Sequence, residues 1–197
     1  MKPKDASTAT APSGRADARR NHERLLATAQ EVFFERGADA SLEEVARRAG
    51  VGIGTLYRHF PNRQRLLEAL VAGSYDRLTD RARELAAEPD PGTALGAWLR
   101  AFIAEVTAFH GMAASVMVTL RDESTDLFSS CQSMRSAGAG LFERARLADA
   151  VPEGTDFKDV LWLVGSIAMS TEREPEAAER LLALAVRGLM PCPNPPH

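Results

Sequence analysis

The segment Ser41–Phe60, SLEEVARRAGVGIGTLYRHF, constrains the fold more than any other. Two helical apolar stripes are separated by a glycine-rich turn, a pattern that requires two short helices set at an angle. Ser41 is placed to cap the first, and Glu44, three residues on, completes a capping box. Leu42, Val45, Ala46 and Ala49 fall at i, i+3, i+4 and i+7 and form one apolar face. Gly50-Val51-Gly52 then breaks the helix, because glycine accepts the positive φ of a tight turn. In the second helix Ile53, Leu56, Tyr57 and Phe60 share an inner face by the same spacing. Gly52, Gly54, Thr55, Arg58 and His59 face outward, and Pro61 stops the helix.

An outer face of small, hydroxyl and cationic groups suits the major groove of DNA. Glycine and threonine let a helix sit deep, Arg58 has the fork that pairs with guanine, and Thr55 can meet a base or a phosphate. Tyr57 and His59 can donate to phosphate oxygens, which positions a helix without reading sequence.

The stretch from about Arg19 to Leu70 resembles the DNA-binding domain of the TetR (tetracycline-repressor-like) family of transcription regulators. The motif carrying the likeness is GVGIGTLYRHFPNRQRLLEAL, Gly50–Leu70, preceded by a helix ending in VFFERG. The resemblance implies that Ser41, Tyr57, His59 and Arg63 contact phosphates, and that Thr55 and Arg58 are the base readers. It departs from the pattern at Gly52, where the family often carries Ser or Thr, so a side-chain cap and phosphate contact is missing there. Gly54 likewise offers no side chain to a base.

The net charge of −3 is unusual for a DNA binder until it is divided. Residues 1–70 hold 12 Lys/Arg against 9 Asp/Glu and residues 71–197 hold 12 against 18, so the N-terminal part is +3 and the remainder −6. The sign favours DNA contact by the first part. No apolar run approaches a membrane span and no signal-peptide pattern opens the chain, so the expected location is the cytoplasm. Cys131 and Cys192 lie far apart and provide neither a disulfide framework nor zinc spacing. No cofactor and no metal are expected.

The rest of the chain reads as helix throughout, giving an all-α fold of about nine helices. Residues 1–14 read as a disordered tail, 15–62 as a helix-turn-helix domain, 63–190 as a helical effector-binding and dimerisation domain, and 191–197 as a loose tail. The first helix, about Ala18–Arg36, carries Leu25, Leu26, Ala29, Val32 and Phe33 on one side and ends at Gly37. A fourth helix begins near Arg63 with Asn62 as N-cap. Its stripe of Leu66, Leu67, Leu70, Val71, Ser74, Leu78, Ala82 and Leu85 makes it a mechanical link between the two domains. Further helices are read at about Thr93–His110, Gly111–Leu120, Thr125–Ala148, Asp156–Ser170 and Pro175–Met190. Gly138 and Gly140 inside one of them mark a close approach or a bend.

Aromatic and methionine side chains of the middle helices give the candidate pocket for an apolar small molecule: Trp98, Phe102, Phe109, His110, Met117, Cys131, Met134, Phe142 and Trp162. Such stripes are more often plain core; the family resemblance, in which this region binds an effector, is what favours a pocket. The last two helices are apolar nearly all round, which implies burial on two sides, against the chain's own core and against a second copy. The interface candidates are Trp162, Gly165, Met169, Leu181, Leu184, Ala185 and Leu189. The expectation is a ligand-responsive regulator, by family default a repressor, that binds a palindromic double-stranded operator as a dimer. Two rivals remain: a helical protein-interaction module, and an enzyme, for which no catalytic constellation stands out.

Overall fold

The computed structural model describes residues 13–108, 125–171 and 174–189. These residues are all-helical. Helices α1 (Ser13–Arg36), α2 (Leu42–Arg48), α3 (Ile53–His59) and α4 (Arg63–Leu85) come first, with a 3₁₀ turn at Gly37–Asp39. Helices α5 (Pro91–Thr107), α6 (Asp126–Leu147), α7 (Phe157–Ser170) and α8 (Pro175–Leu189) follow. The expected helix at Gly111–Leu120 and both expected tails, apart from Ser13 and Gly14 at the start of α1, lie outside the described residues.

The helix ends follow local chemistry. Asn62 accepts a bond from the Arg65 N–H at 2.9 Å and starts α4. Thr125 accepts from Phe128 N–H at 3.1 Å and starts α6. Asp90 caps α5 and Pro91 occupies its first turn, so that helix begins two residues before the expected Thr93.

Two hydrophobic clusters share α4. The first joins Leu25, Val32 and Phe33 of α1 to Val45 of α2, Leu56 of α3 and Leu66–Ala72 of α4. It also takes in Leu127 from the first turn of α6, so the C-terminal half reaches into the N-terminal unit. The second cluster gathers Leu78, Ala82 and Leu85 of α4 with the inner faces of α5 to α8 around Trp98. Every position of the expected α4 stripe, Leu66 through Leu85, is buried. At 23 residues the helix is about 35 Å long and spans both clusters. Its most extensive packing is against α6. Arg144 of α6 donates to the carbonyls of Leu85 and Glu88, at 3.4 and 2.9 Å, and so occupies acceptors at the C-terminal end of α4.

Gly138 of α6 resolves as a close approach. A methyl group there would stand 2.4 Å from Cη2 of Trp98. The Trp98 indole is fully buried and its N–H donates to the Leu78 carbonyl at 3.0 Å. At Gly140 a methyl would meet nothing within 4 Å.

Candidate nucleic-acid interface

The helix-turn-helix is built from its own caps outward. Ser41 Oγ accepts from the Glu44 N–H at 3.1 Å. The reciprocal half of the expected capping box is not made. The Glu44 carboxylate turns to Arg47 and Arg48, accepting bonds at 2.7 and 2.6 Å, and these two cations hold its pKa below the usual carboxylate value. Arg48 also reaches Glu35 of α1 at 2.8 Å, which fastens α2 to α1.

The turn between α2 and α3 is a Schellman motif. Val51 N–H donates to Ala46 O at 3.0 Å and Gly50 N–H to Arg47 O at 3.1 Å, with Gly50 at φ 64°. Gly50 alone in this turn needs the left-handed region. Gly52 has φ −67° and ψ 146°, an extended N-cap that any residue adopts, and α3 starts without a side-chain cap.

The face of α3 differs from the expectation. Leu56 and Phe60 are buried, but Ile53 is 39% and Tyr57 43% exposed. A seven-residue helix has too few turns to bury a wide stripe, and the i, i+4 pair Leu56–Phe60 makes its fully buried contact. Ile53 and Tyr57 therefore stand with Gly52, Gly54 and Arg58 on the open side, while Thr55 and His59 are half-buried. Ile53 is a DNA-facing candidate that the sequence reading placed inside; a branched apolar group there suits a thymine methyl. Arg58 lies along its own helix, 3.4 Å from Gly54 O and from Thr55 Oγ1, and its side chain is exposed.

His59 is joined by a residue that spacing did not single out. His22 of α1 stacks on Phe60 with ring centroids 4.9 Å apart, and its centroid is 5.7 Å from that of His59. Burial lowers the His22 pKa, the His59 imidazole lowers it further, and Glu23 opposes both. Arg63, expected on a phosphate, turns inward instead. It donates to the Ala40 carbonyl and lies over the Phe33 ring, 4.7 Å from its centroid.

The described pocket and interface candidates differ in exposure. Trp98, Phe102, Met134 and Phe142 belong to the second core cluster, with Cys131 half-buried against it. Phe157 joins them, 5.5 Å from Phe142 and 6.1 Å from Trp98 between ring centroids. Trp162 does not belong with them: it is 72% exposed on α7. Phe109, His110 and Met117 lie outside the described residues. On α7 and α8, Trp162, Leu163, Met169, Leu181 and Leu184 form an exposed apolar set, and Gly165 and Ala185 are half-buried. Nothing is described of the Leu189 side chain.

Residues 25–70 match the domain of bacterial regulatory proteins of the tetR family, and residues 90–191 match the C-terminal domain of SbtR-like transcriptional regulators. A TetR transcriptional regulator of Streptomyces coelicolor is 40% identical over 86% of this chain and 98% of its own, with a TM-score of 0.69. A TetR regulator of Mycobacterium vanbaalenii is 31% identical over 90% of this chain and 99% of its own, with a TM-score of 0.58. Among curated proteins, the HTH-type regulator TtgW of Pseudomonas putida is 34% identical over 48% of this chain and 67% of its own length. The next curated relative, SrpR of the same species, is matched over 42% of its length. Two domains in the family's order, on an all-helical fold with an exposed second helix in its helix-turn-helix, lead to one conclusion: the chain belongs to the TetR family of transcriptional regulators.

Proposed function

We propose that this DNA-binding regulator is a repressor that occupies a palindromic operator as a homodimer and leaves it when a small molecule binds among α4, α5 and α6. The base-reading residues are Thr55 and Arg58, with Ile53 beside them; Ser41, Tyr57 and His59 are the phosphate contacts. The observation carrying the DNA reading is the open face of α3, where Arg58 and Tyr57 stand exposed beside two glycines that let the helix approach closely. The cytoplasm, where operator DNA lies, is the corresponding location, and no enzyme activity is part of this reading.

The dimer reading rests on α7 and α8. Trp162 at 72% and Leu184 at 62% exposure are large apolar groups that water solvates poorly, and a second copy would cover them. A two-fold dimer would present two α3 helices to half-sites about one helical turn apart. The effector reading rests on the aromatic and sulfur side chains between α5 and α6. Structures of similar fold hold small molecules: RolR was solved with resorcinol and FadR of Bacillus subtilis with stearoyl-CoA, at 17% and 18% identity and a TM-score of 0.58 each.

The test is a gel shift on a duplex selected from random-sequence DNA, with and without candidate ligands, together with sizing by light scattering. Arg58→Ala should lose about 1–3 kcal/mol of discrimination at one base position per half-site, whereas Tyr57→Phe should weaken all duplexes alike. Silence of both substitutions would refute the orientation given to α3. A monomer by light scattering would favour the second reading of α7 and α8, a docking face for another protein. A ligand that binds tightly but leaves DNA affinity unchanged would refute the switch.

A further inference from the structure

Arg63 is the first residue of α4, directly after the N-cap Asn62 and three positions after Phe60, the C-cap of α3. Its guanidinium points back into the N-terminal unit. Nη1 donates to the carbonyl of Ala40, and Cζ sits 4.7 Å from the centroid of the Phe33 ring. Ala40 is buried and immediately precedes Ser41, the N-cap of α2; Phe33 is fully buried in α1. A single side chain thus joins the residue just before the helix-turn-helix to the residue just after it. Residues 41–62 become a closed loop with α1 as its floor. Burial lowers the guanidinium pKa, with the Asp39 carboxylate opposing, as expected for a cation drawn inward.

The chemistry suits a clamp. Arginine has a flat face for an aromatic ring and a rigid fork for a carbonyl at the same time, which lysine lacks. Ala40 is itself buried between the exposed Asp39 and Ser41, and a buried backbone carbonyl calls for a donor.

We propose that Arg63 is a positioning residue for the recognition helix: it clamps the exit of α3 to the entrance of α2 and fixes orientation without taking a phosphate. The inference rests on α3 being the helix that reads DNA. Base contacts depend on orientation more sharply than phosphate contacts do, so loss of the clamp should erode selectivity before it erodes charge-driven affinity. The number of counterions released on binding should not change, because no phosphate contact is lost.

The experiment titrates the full chain by fluorescence anisotropy over a range of KCl concentrations. The duplexes are one selected from random-sequence DNA by the wild type and one unselected of equal length. The temperature is one at which circular dichroism shows the variant folded, so that a purely structural role would leave the selected-to-unselected ratio unmoved. Arg63→Met should bind the selected duplex about tenfold more weakly and the unselected one about twofold, with the slope of log K against log salt unchanged. A slope shallower by about 2, one phosphate per subunit of a dimer, with the ratio preserved, would overturn the clamp in favour of a phosphate contact. Wild-type affinity and ratio in the folded variant would overturn it too. Arg63→Lys carries the same readout if the Met variant fails to fold. It keeps charge and reach, so a clamp loses selectivity on this change, and full retention would overturn the proposal. A wild type that selects no duplex would overturn the DNA reading and the clamp together.

Discussion

The two hydrophobic clusters meet along α4 but are held together by different means. The first is mostly aliphatic, and its helices are fastened at their ends by directional polar ties: Ser41 on Glu44 N–H, Arg48 on Glu35, Arg63 on Ala40 O. The second closes around the Trp98 ring, with Phe102 and Phe157 beside it and a missing side chain at Gly138 beneath it. Hydrogen bonds orient, whereas close packing resists any change of volume. The half that presents a helix to DNA at a set angle depends on the former at its helix ends, and the half around Trp98 depends chiefly on the latter, with Trp98 N–H on Leu78 O and Arg144 on the end of α4 as its ties. The strongest break of this contrast should therefore come from adding one methyl group to the second cluster.

Gly138→Ala is that change. The new Cβ would lie 2.4 and 2.7 Å from two atoms of Trp98 and 2.9 Å from Phe157 Cζ. The ring has no room to retreat, being fully buried and anchored at 3.0 Å to Leu78 O. The expected cost is about 1–3 kcal/mol in urea unfolding, despite the better helix propensity of alanine. In a Trp98→Phe background the same substitution should cost less, and that difference measures the contact directly. Gly140→Ala, with open space around it, should instead stabilise by up to about 1 kcal/mol. Equal effects at the two glycines would erase the shape argument.

Ser41→Ala tests the other half. Among the described residues the serine makes the only side-chain cap on α2, since Glu44 is taken by Arg47 and Arg48, so its loss should cost about 1 kcal/mol. Urea unfolding followed by far-UV circular dichroism reads it. If Glu44 swung back to the helix start in the variant, the loss would be smaller and the Glu44 pKa would move toward its ordinary value.

How far these features could be read from the sequence depends on how local their causes are. Caps and turns are written in neighbouring residues, and Ser41, Asn62, Gly37 and Gly50 are all where the sequence puts them. The α4 stripe was legible because 23 residues give many turns over which a period shows. In α3 the same rule misplaced Ile53 and Tyr57, because seven residues of mixed apolar and aromatic character fit more than one face. The inward contacts of Arg63 were out of reach of the sequence for another reason. Its partners Phe33 and Ala40 lie 30 and 23 positions back, and only the folded chain brings them to it. The same distance hid His22, whose neighbour His59 is on another helix.

His22 makes the aromatic corner of the first cluster sensitive to acid. Its folded pKa lies below 6.5, through burial first and His59 second. The unfolded chain then takes the proton more readily. This contribution is intact well above pH 6.5 and is lost as pH falls through that value toward the folded pKa. Thermal unfolding followed from about pH 7.5 to 5 should show the fall in the wild type and a flatter profile in His22→Gln. Carboxylates such as Glu44, also lowered in pKa, lose their contribution further into acid and do not mask the step.

The smallest effect on stability should come from Gly52→Ser. Gly52 is the N-cap of α3, its backbone is ordinary for an L residue, and nothing lies within 4 Å of the added Cβ. A serine hydroxyl there can accept from the first free N–H groups of α3, worth a few tenths of a kcal/mol over glycine. The same hydroxyl can donate to a phosphate, so affinity for selected and unselected duplexes should rise together. A gain in stability with a loss of affinity would show that α3 approaches DNA so closely that even one hydroxymethyl group stands in the way. The polar ties of the first cluster would then serve to hold that backbone at contact distance, with Gly52 and Gly54 as the surface they present.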